Sequence, residues 1–280
     1  MPTPDLRLAA EELCTQRAHR FVRELGRGAA KCAYLVETPT GFAALKIAAL
    51  GHSPERLLRE AAALQTCAHT SIATLLEAFP YRFGNIGLWV VVEEYLAGGT
   101  LQDRLLKSLL LPDEARSIGL CLADVIKHLQ ERRLVHRDIK PANILFRDDP
   151  LVPVLTDFGI VRMLDEPTLT RGFMGIGPGT PAYASPEQLN NEKPQIGWRT
   201  DQFGVAVVLA ECLTGHHPFV PRGGTLHDAI AAVATKAHPQ AWCIDELKVF
   251  GFGCLEQALQ PWPISRYRRP DDFIAALRQP

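Results

Sequence analysis

The sequence predicts an α+β protein in two lobes, a small β-rich one followed by a larger, mostly helical one. Three observations carry this. The first third has short alternating apolar runs broken by turn residues. The remainder has long runs at helical spacing. A glycine pair, Gly98-Gly99, stands where one pattern gives way to the other. The chain has 280 residues, above the size at which one core usually stops growing. We place an N-terminal extension at 1–19, the first lobe at 20–96 and the second at 97–280, with a ligand cleft expected between the lobes.

Each element follows from local chemistry. Residues 20–50, "RFVRELGRGA" and "KCAYLVETPTGFAALKIAAL", read as strands, and "TPTG" supplies a hairpin turn. Residues 53–67 read as a helix, with Ser53 as N-cap, Pro54 at the first helical position, and Leu57, Leu58, Ala61 and Leu64 on one face. "LWVVVEEYL" is a buried strand that "AGG" terminates. Beyond it, "LPDEARSIGLCLADVIKHLQERR" predicts a long amphipathic helix, "TDQFGVAVVLAECLTG" a buried helix ending at Gly215, and "PDDFIAALRQ" a last helix.

Composition excludes several classes. Net charge is -1 and charged residues make up 22%, so no global field favours nucleic acid or an anionic membrane. The longest apolar stretches fall far short of the roughly 20 residues a membrane span needs, and the N-terminus lacks the apolar run of a signal peptide. The seven cysteines are odd in number and never spaced C-x-x-C, which argues against a disulfide framework and a zinc site. Free thiols and a cytoplasmic location are expected.

Four places carry candidate chemistry. Gly26, Arg27 and Gly28 lie between two strands, where glycines admit backbone N–H groups close to phosphates; a tight turn reads the same way. Lys46 sits in an apolar strand, "FAALKIA", where an ammonium is costly to bury unless paired. Glu60 on the next helix is the expected partner, although an edge strand would let the lysine reach solvent. Asp157-Phe158-Gly159 follows a short apolar strand, and an acid there suits a hard cation or an ordinary turn. The fourth place, "HRDIKPAN", sets Asp138 between Arg137 and Lys140, with Asn143 five residues on. A base, a cation and a metal-binding oxygen in one short loop suit phosphate chemistry.

In order, "GRGAAKCA", "AALK", Glu60 in a helix, "EEYLAGG", "HRDIKPAN", "DFG", "GTPAYASPE" and "TDQFG" resemble the motifs of the eukaryotic-type (Hanks-type) protein kinases, from about Phe21 to Leu277. "DIKPAN" and "GTPAYASPE" are similar to the serine/threonine-specific branch, and the composition leans bacterial. The resemblance implies the bilobal protein-kinase fold, ATP and Mg2+ as cofactors, and protein substrates with Ser or Thr acceptors. It implies that Gly26, Arg27 and Gly28 cover the phosphates and that Lys46 holds them, oriented by Glu60. Ala33, Ala44 and Leu145 would sandwich adenine, and the backbone from Glu94 to Leu96 would bond its edge. Asp138 would take the acceptor's proton, Lys140 would offset charge on the transferred group, Asn143 and Asp157 would hold Mg2+, and Thr180 would help select the acceptor. Glu187 and Arg269 are expected as a buried ion pair, and Asp201 as a buried helix acid.

Two departures stand out. Lys31 replaces the third glycine of the loop, and Glu93 stands where an apolar residue or Thr is usual. Glu93 should be partly buried, so it should either resist ionisation or find a cationic partner, and it should narrow the back of the adenine pocket to hydrophobic inhibitors. Arg137, with Thr168 and Thr170, suggests activation by phosphorylation in trans, through self-association. The chain stops just after the last expected helix, so a sensor domain or anchor is expected elsewhere. The alternative to an active kinase is a nucleotide-binding pseudokinase scaffold. Against it stand Lys46, Glu60, Asp138, Asn143 and Asp157, all present.

Overall fold

A computed structural model describes residues 5–28, 31–50, 54–65, 67–147, 149, 152–158 and 182–279; within 54–65 it describes the side chains of 55, 57, 58, 61, 62, 64 and 65. The first lobe is a five-stranded antiparallel sheet of β1 (Arg20–Arg27), β2 (Lys31–Thr38), β3 (Gly41–Ala49), β4 (Leu75–Phe83) and β5 (Ile86–Glu94), in the order β1-β2-β3-β5-β4. β3 and β5 are therefore interior strands with a neighbour on each side.

Period-two alternation gives this sheet two different faces, because directly opposed residues share a face. Pairs Ala33↔Lys46, Ala44↔Glu93, Lys46↔Val91 and Ala48↔Trp89 lie on one. Cys32, Tyr34, Val36, Ala43, Leu45, Ile47, Leu88, Val90 and Val92 lie on the other, all buried in one apolar cluster. A helix roofs each face. The first is α1 (Leu6–Gln16), N-capped by the Asp5 carboxylate, which accepts from the Arg7 N–H at 3.0 Å. Its Leu6, Ala9, Ala10, Leu13 and Cys14 recur at helical spacing and join the Tyr34 face. So part of the segment read as an extension belongs to the core of the first lobe. The second helix, α2 (Pro54–Gln65), sets Leu57 and Ala61 on Trp89 and Val91.

The glycine joint is a place of close backbone approach. The Gly98 N–H donates to the Phe146 carbonyl at 2.9 Å, and a Cβ on Gly98 would lie 2.1 Å from the Arg147 carbonyl oxygen. Only glycine fits there. The second lobe follows with α3 (Leu101–Leu105), α4 (Pro112–Glu131), the two-stranded β6 (Ile144–Phe146) and β7 (Pro153–Leu155), α5 (Pro186–Leu189), α6 (Trp198–Thr214), α7 (Leu226–Ala234), α8 (Ala241–Val249), α9 (Leu255–Ala258) and α10 (Pro270–Arg278). α6 is buried on all sides from Thr200 to Thr214 apart from half-buried Glu211, as its all-round apolar sequence requires, and it packs on α4. Thr100, β6 and β7 form a ledge tied to the segments that flank β4 and β5: the Ala73 N–H donates to the Leu155 carbonyl at 2.9 Å, and Leu96 is buried with Ala73 and Val154.

The predicted strands within 20–50 and 88–96 and the predicted helices at 53–67, 111–133, 200–215 and 270–279 are all present, with ends within about two residues. Among the described residues all seven cysteines are free thiols, and no helix is long and apolar enough to cross a membrane.

Candidate active site

The loop from His136 to Asn143 is fixed from beneath. Asp201 on α6 is buried, and its two carboxylate oxygens accept the backbone N–H groups of His136 and Arg137, each at 2.8 Å. Burial pushes the Asp201 carboxyl up to about 7, against the pull of those two N–H donors. They hold Arg137 at φ 68°, a conformation a non-glycine residue resists. Gln188 on α5 donates to the Arg137 carbonyl at 2.7 Å. His136 is fully buried and accepts from the Asp138 N–H at Nδ1, 3.2 Å away, so its Nε2–H donates to the Thr156 carbonyl at 2.9 Å. Phe158 stacks edge-on against its ring, 4.7 Å between centroids. Gly204 on α6 lets Ile139 approach: a Cβ there would stand 3.2 Å from the Ile139 Cβ. A rigid loop results because backbone donors and a buried carboxyl acceptor, not surface contacts, determine its shape.

On this base the polar side chains converge. The Asp138 carboxylate accepts from Lys140 Nζ and from Asn143 Nδ2, both at 3.0 Å, and Asn143 Nδ2 also donates to the Asp138 carbonyl at 2.8 Å. The Thr156 N–H donates to the Asn143 carbonyl at 2.9 Å, which ties Asn143 to the segment that bears Asp157. Asp157, at φ 62°, is held by Lys46 at 2.9 Å and Lys31 at 2.7 Å. Lys46 in turn meets Glu93 at 2.5 Å. Lys31, Asp157, Lys46 and Glu93 thus form an alternating chain of charges.

Electrostatics favour the charged forms of the two inner members, Asp157 and Lys46. Burial works to raise the Asp157 carboxyl, but the Lys46 and Lys31 ammoniums outweigh it and hold the group far below the usual carboxylate range. Burial likewise works to lower Lys46, and the carboxylates of Asp157 and Glu93 outweigh it and hold the ammonium charged. The cationic partner expected for Glu93 is Lys46 itself. The expected Lys46–Glu60 contact lies outside the described residues, since α2 carries Glu60 but its side chain is not described.

The other expected residues sit as follows. Ala33, half-buried, and Ala44, buried, share the Lys46 face of the sheet, and half-buried Leu145 on β6 lies opposite across the joint, packed beside Leu96. The Glu94 side chain turns away from this face. It accepts from the Thr74 N–H at 2.8 Å and from Arg147 at 2.8 Å, and despite partial burial these donors hold its carboxyl below the ordinary value. Gly26 pairs with Ala33 on β2, and the Gly28 N–H donates to the Lys31 carbonyl at 2.8 Å. Arg27 is exposed and paired with Glu24 at 3.0 Å. Thr180, Thr168 and Thr170 lie outside the described residues.

One expectation is corrected. The buried partner of Glu187 is Arg266, not Arg269. Arg266 and Glu187 are both 0% exposed and bond in bidentate fashion at 2.8 and 3.0 Å. The Arg266 guanidinium also donates to the carbonyls of Gln260, Arg199 and Pro261 and lies over the Phe203 ring at 4.7 Å. Arg269 is the N-cap residue of α10, a position that faces solvent, and its side chain reaches Asp272 one turn on. Sequence offers three arginines in four positions there, and only the fold distinguishes them.

Oxygen donors suit a hard cation, and Asn143 and Asp157 supply them: the Asn143 amide nitrogen is turned to Asp138, and the Asp157 carboxylate already gathers two positive charges. Among the described residues no group of three or more His, Cys, Asp or Glu could hold a metal.

Comparison with known proteins agrees with this geometry. The protein kinase domain model matches residues 19–255. The chain is 32% identical over 280 residues to the serine/threonine-protein kinase PknF of Mycobacterium tuberculosis, covering 92% of this chain and 55% of the relative. It is 31% identical over 270 residues to the serine/threonine-protein kinase PkaB of Streptomyces coelicolor, covering 91% and 61%. With a probable serine/threonine-protein kinase of Streptomyces coelicolor it shares 31% over 187 residues, 66% of this chain and 27% of that protein. The chain thus spans between about a quarter and three fifths of the length of these relatives. The bilobal fold, the fixed polar loop and the matched model together place the chain in the protein kinase family, in its serine/threonine branch.

Proposed function

We propose that the chain is an active protein kinase that moves the γ-phosphoryl group of ATP to Ser or Thr hydroxyls of proteins. The observation that supports this best is the Asp138 carboxylate, gripped by Lys140 and Asn143 on a loop that α6 holds rigid. A nucleotide enters between the sheet face bearing Ala33 and Ala44 and the ledge bearing Leu145, with adenine edged by the backbone from Glu94 to Leu96. The glycine loop from Gly26 to Gly28 covers its phosphates and Lys46 binds them. The acceptor oxygen attacks the γ-phosphorus, the bond from that phosphorus to the β,γ-bridging oxygen breaks, and the hydroxyl's proton passes to Asp138. Lys140 offsets charge on the group in flight. Asn143 and Asp157 would hold Mg2+, which when bound neutralises phosphate oxygens. ADP leaves with the bridging oxygen.

Regulation through Thr168 or Thr170, with a second copy as donor enzyme, is part of the same reading, as are Thr180 as an acceptor-selecting residue and a cytoplasmic location. The test is incubation with labelled ATP, Mg2+ and a basic protein acceptor. Transfer by wild type, reduced at least about 100-fold in Asp138→Asn, is expected for a positioned base. Equal transfer by the variant would overturn the assignment of Asp138. Absent transfer by wild type, with ATP still raising its melting temperature, would favour a nucleotide-binding scaffold.

A further inference from the structure

We propose that Glu93 is the positioning residue for Lys46, and that it sets the lysine from within the sheet, independently of where α2 stands. The inference rests on the kinase reading for the role of Lys46. It rests on the fold for everything else.

Strand register is the first argument. Lys46 lies opposite Val91, and Ala44 lies opposite Glu93, so Glu93 is the diagonal neighbour of Lys46 on one face. Diagonal neighbours in an antiparallel pair are within reach of long side chains. A continuous ladder from Ala43↔Glu94 to Ala49↔Leu88 holds this register, and β2 and β4 flank the pair of strands on either side. The distance from Lys46 to Glu93 is thus determined by two interior strands in unbroken register with each other.

Competition is the second. A carboxylate offered by α2 depends on how that helix docks, through contacts that among the described residues include Leu57, Ala61 and Leu64 with Trp89, Val91, Leu75 and Ala78. Glu93 depends on no such docking. It is 6% exposed, its Oε2 lies 2.5 Å from Lys46 Nζ, and Asp157 also meets the ammonium at 2.9 Å. Two carboxylates from two separate segments restrict the side chain, and only Asp157 belongs to the segment that would also serve a metal. Glu93 is then the fixed half of the pair and Asp157 the half shared with ligand.

Chemistry is the third. A carboxylate at a position walled by Ala44 and Val91 would be costly without a counter-charge. Lys46 supplies it. Conversely, an ammonium bound on one side by Glu93 keeps its remaining donors for a phosphate oxygen.

The experiment uses the full chain. The Kd of ADP with Mg2+ is measured by calorimetry, alongside KM for ATP, KM for the protein acceptor and kcat, in wild type, Glu93→Gln, Glu93→Asp and Glu60→Gln. Glu93→Gln is expected to raise Kd and KM for ATP about tenfold, the scale of one charge-assisted hydrogen bond, and to leave KM for the acceptor in place. Glu93→Asp should recover part of the loss, and Glu60→Gln should lose less than Glu93→Gln. In a Lys46→Ala background, Glu93→Gln should weaken ADP no further, because its effect runs through the lysine. An equal loss in that background, or a larger loss in Glu60→Gln, would overturn the proposal. Should Glu93→Gln fold poorly, Glu93→Asp and the Lys46→Ala pair carry the same comparison. Because ADP binding is read without phosphoryl transfer, a failure of transfer in wild type would count against the kinase reading and leave this test intact.

Discussion

Two buried ion pairs among the described residues look alike on paper and differ in what surrounds them. In the second lobe, Arg266 and Glu187 are sealed: both are 0% exposed, and protein acceptors take up the rest of the guanidinium. In the cleft, Lys46 shares its charge between Glu93 and Asp157, Asp157 shares its own between Lys46 and Lys31, and Lys31 is one-third exposed. The sealed pair has nothing left to offer a ligand. The shared chain can exchange partners, since Lys46 and Asp157 each keep a second one. Saturation marks a charge that builds the fold, and shared partnership marks a charge kept for chemistry.

The largest effect should come from breaking the sealed pair. Arg266→Met leaves the Glu187 carboxylate buried without its counter-charge, and a loss of about 3–5 kcal/mol is expected in chemical denaturation. If the variant melts with wild type, Glu187 has found another partner and the contrast fails.

Acid probes the same contrast next. His217 is buried, with Nε2 bonded to the Ala182 carbonyl and Nδ1 accepting from the Phe219 N–H, and burial pushes it down to about 4. The unfolded chain binds this proton near pH 6.5, so the stability His217 contributes is full above that pH and is lost as pH falls towards 4, about 3 kcal/mol in all. Asp157 stays ionised throughout that window. Asp201, whose carboxyl burial pushes up to about 7, gains stability over the same window and is common to both proteins, so from pH 7 to pH 4 wild type should lose stability relative to His217→Gln. Parallel curves would remove His217 from the account.

A smaller effect is expected at the shared chain. In Glu93→Thr, Lys46 retains Asp157, so the stability loss should be about 1–2 kcal/mol, well under that of Arg266→Met. The same variant removes the acid from the back of the adenine pocket and should bind hydrophobic ATP-site inhibitors more tightly than wild type. Unchanged inhibitor affinity would mean Glu93 does not close the pocket. Smallest of all, Arg269→Ala should leave the melting temperature where it is, because its pairing with Asp272 is on the surface.

How much of this the sequence disclosed depends on the range of the interaction involved. Elements with one strong local pattern were legible: "LWVVV" as a strand, the Gly215 end of α6, and Pro54 opening α2. So was the loop at Asp138, because base, cation and amide lie within six residues. The partner of Glu187 was not, since Arg266, Arg268 and Arg269 have the same chemistry and only burial separates them. Nor was the pairing of Lys46 with Glu93, which needs the β3–β5 register. β4 was passed over, with polar Glu77, Arg82 and a proline among its residues. α1 did leave a signal, Leu6, Ala9, Ala10, Leu13 and Cys14 at helical spacing after Asp5, but its short apolar side chains make a faint stripe.

That first helix carries a practical consequence. The match to the protein kinase domain begins at residue 19, downstream of α1. A fragment trimmed to the region of similarity would lose the roof over Tyr34, Val36, Ile47, Leu88 and Val90, laying bare a contiguous oily strip on the back of the sheet. Such a strip invites clumping. Anyone dividing this chain by resemblance alone would cut away part of the material that keeps it dispersed.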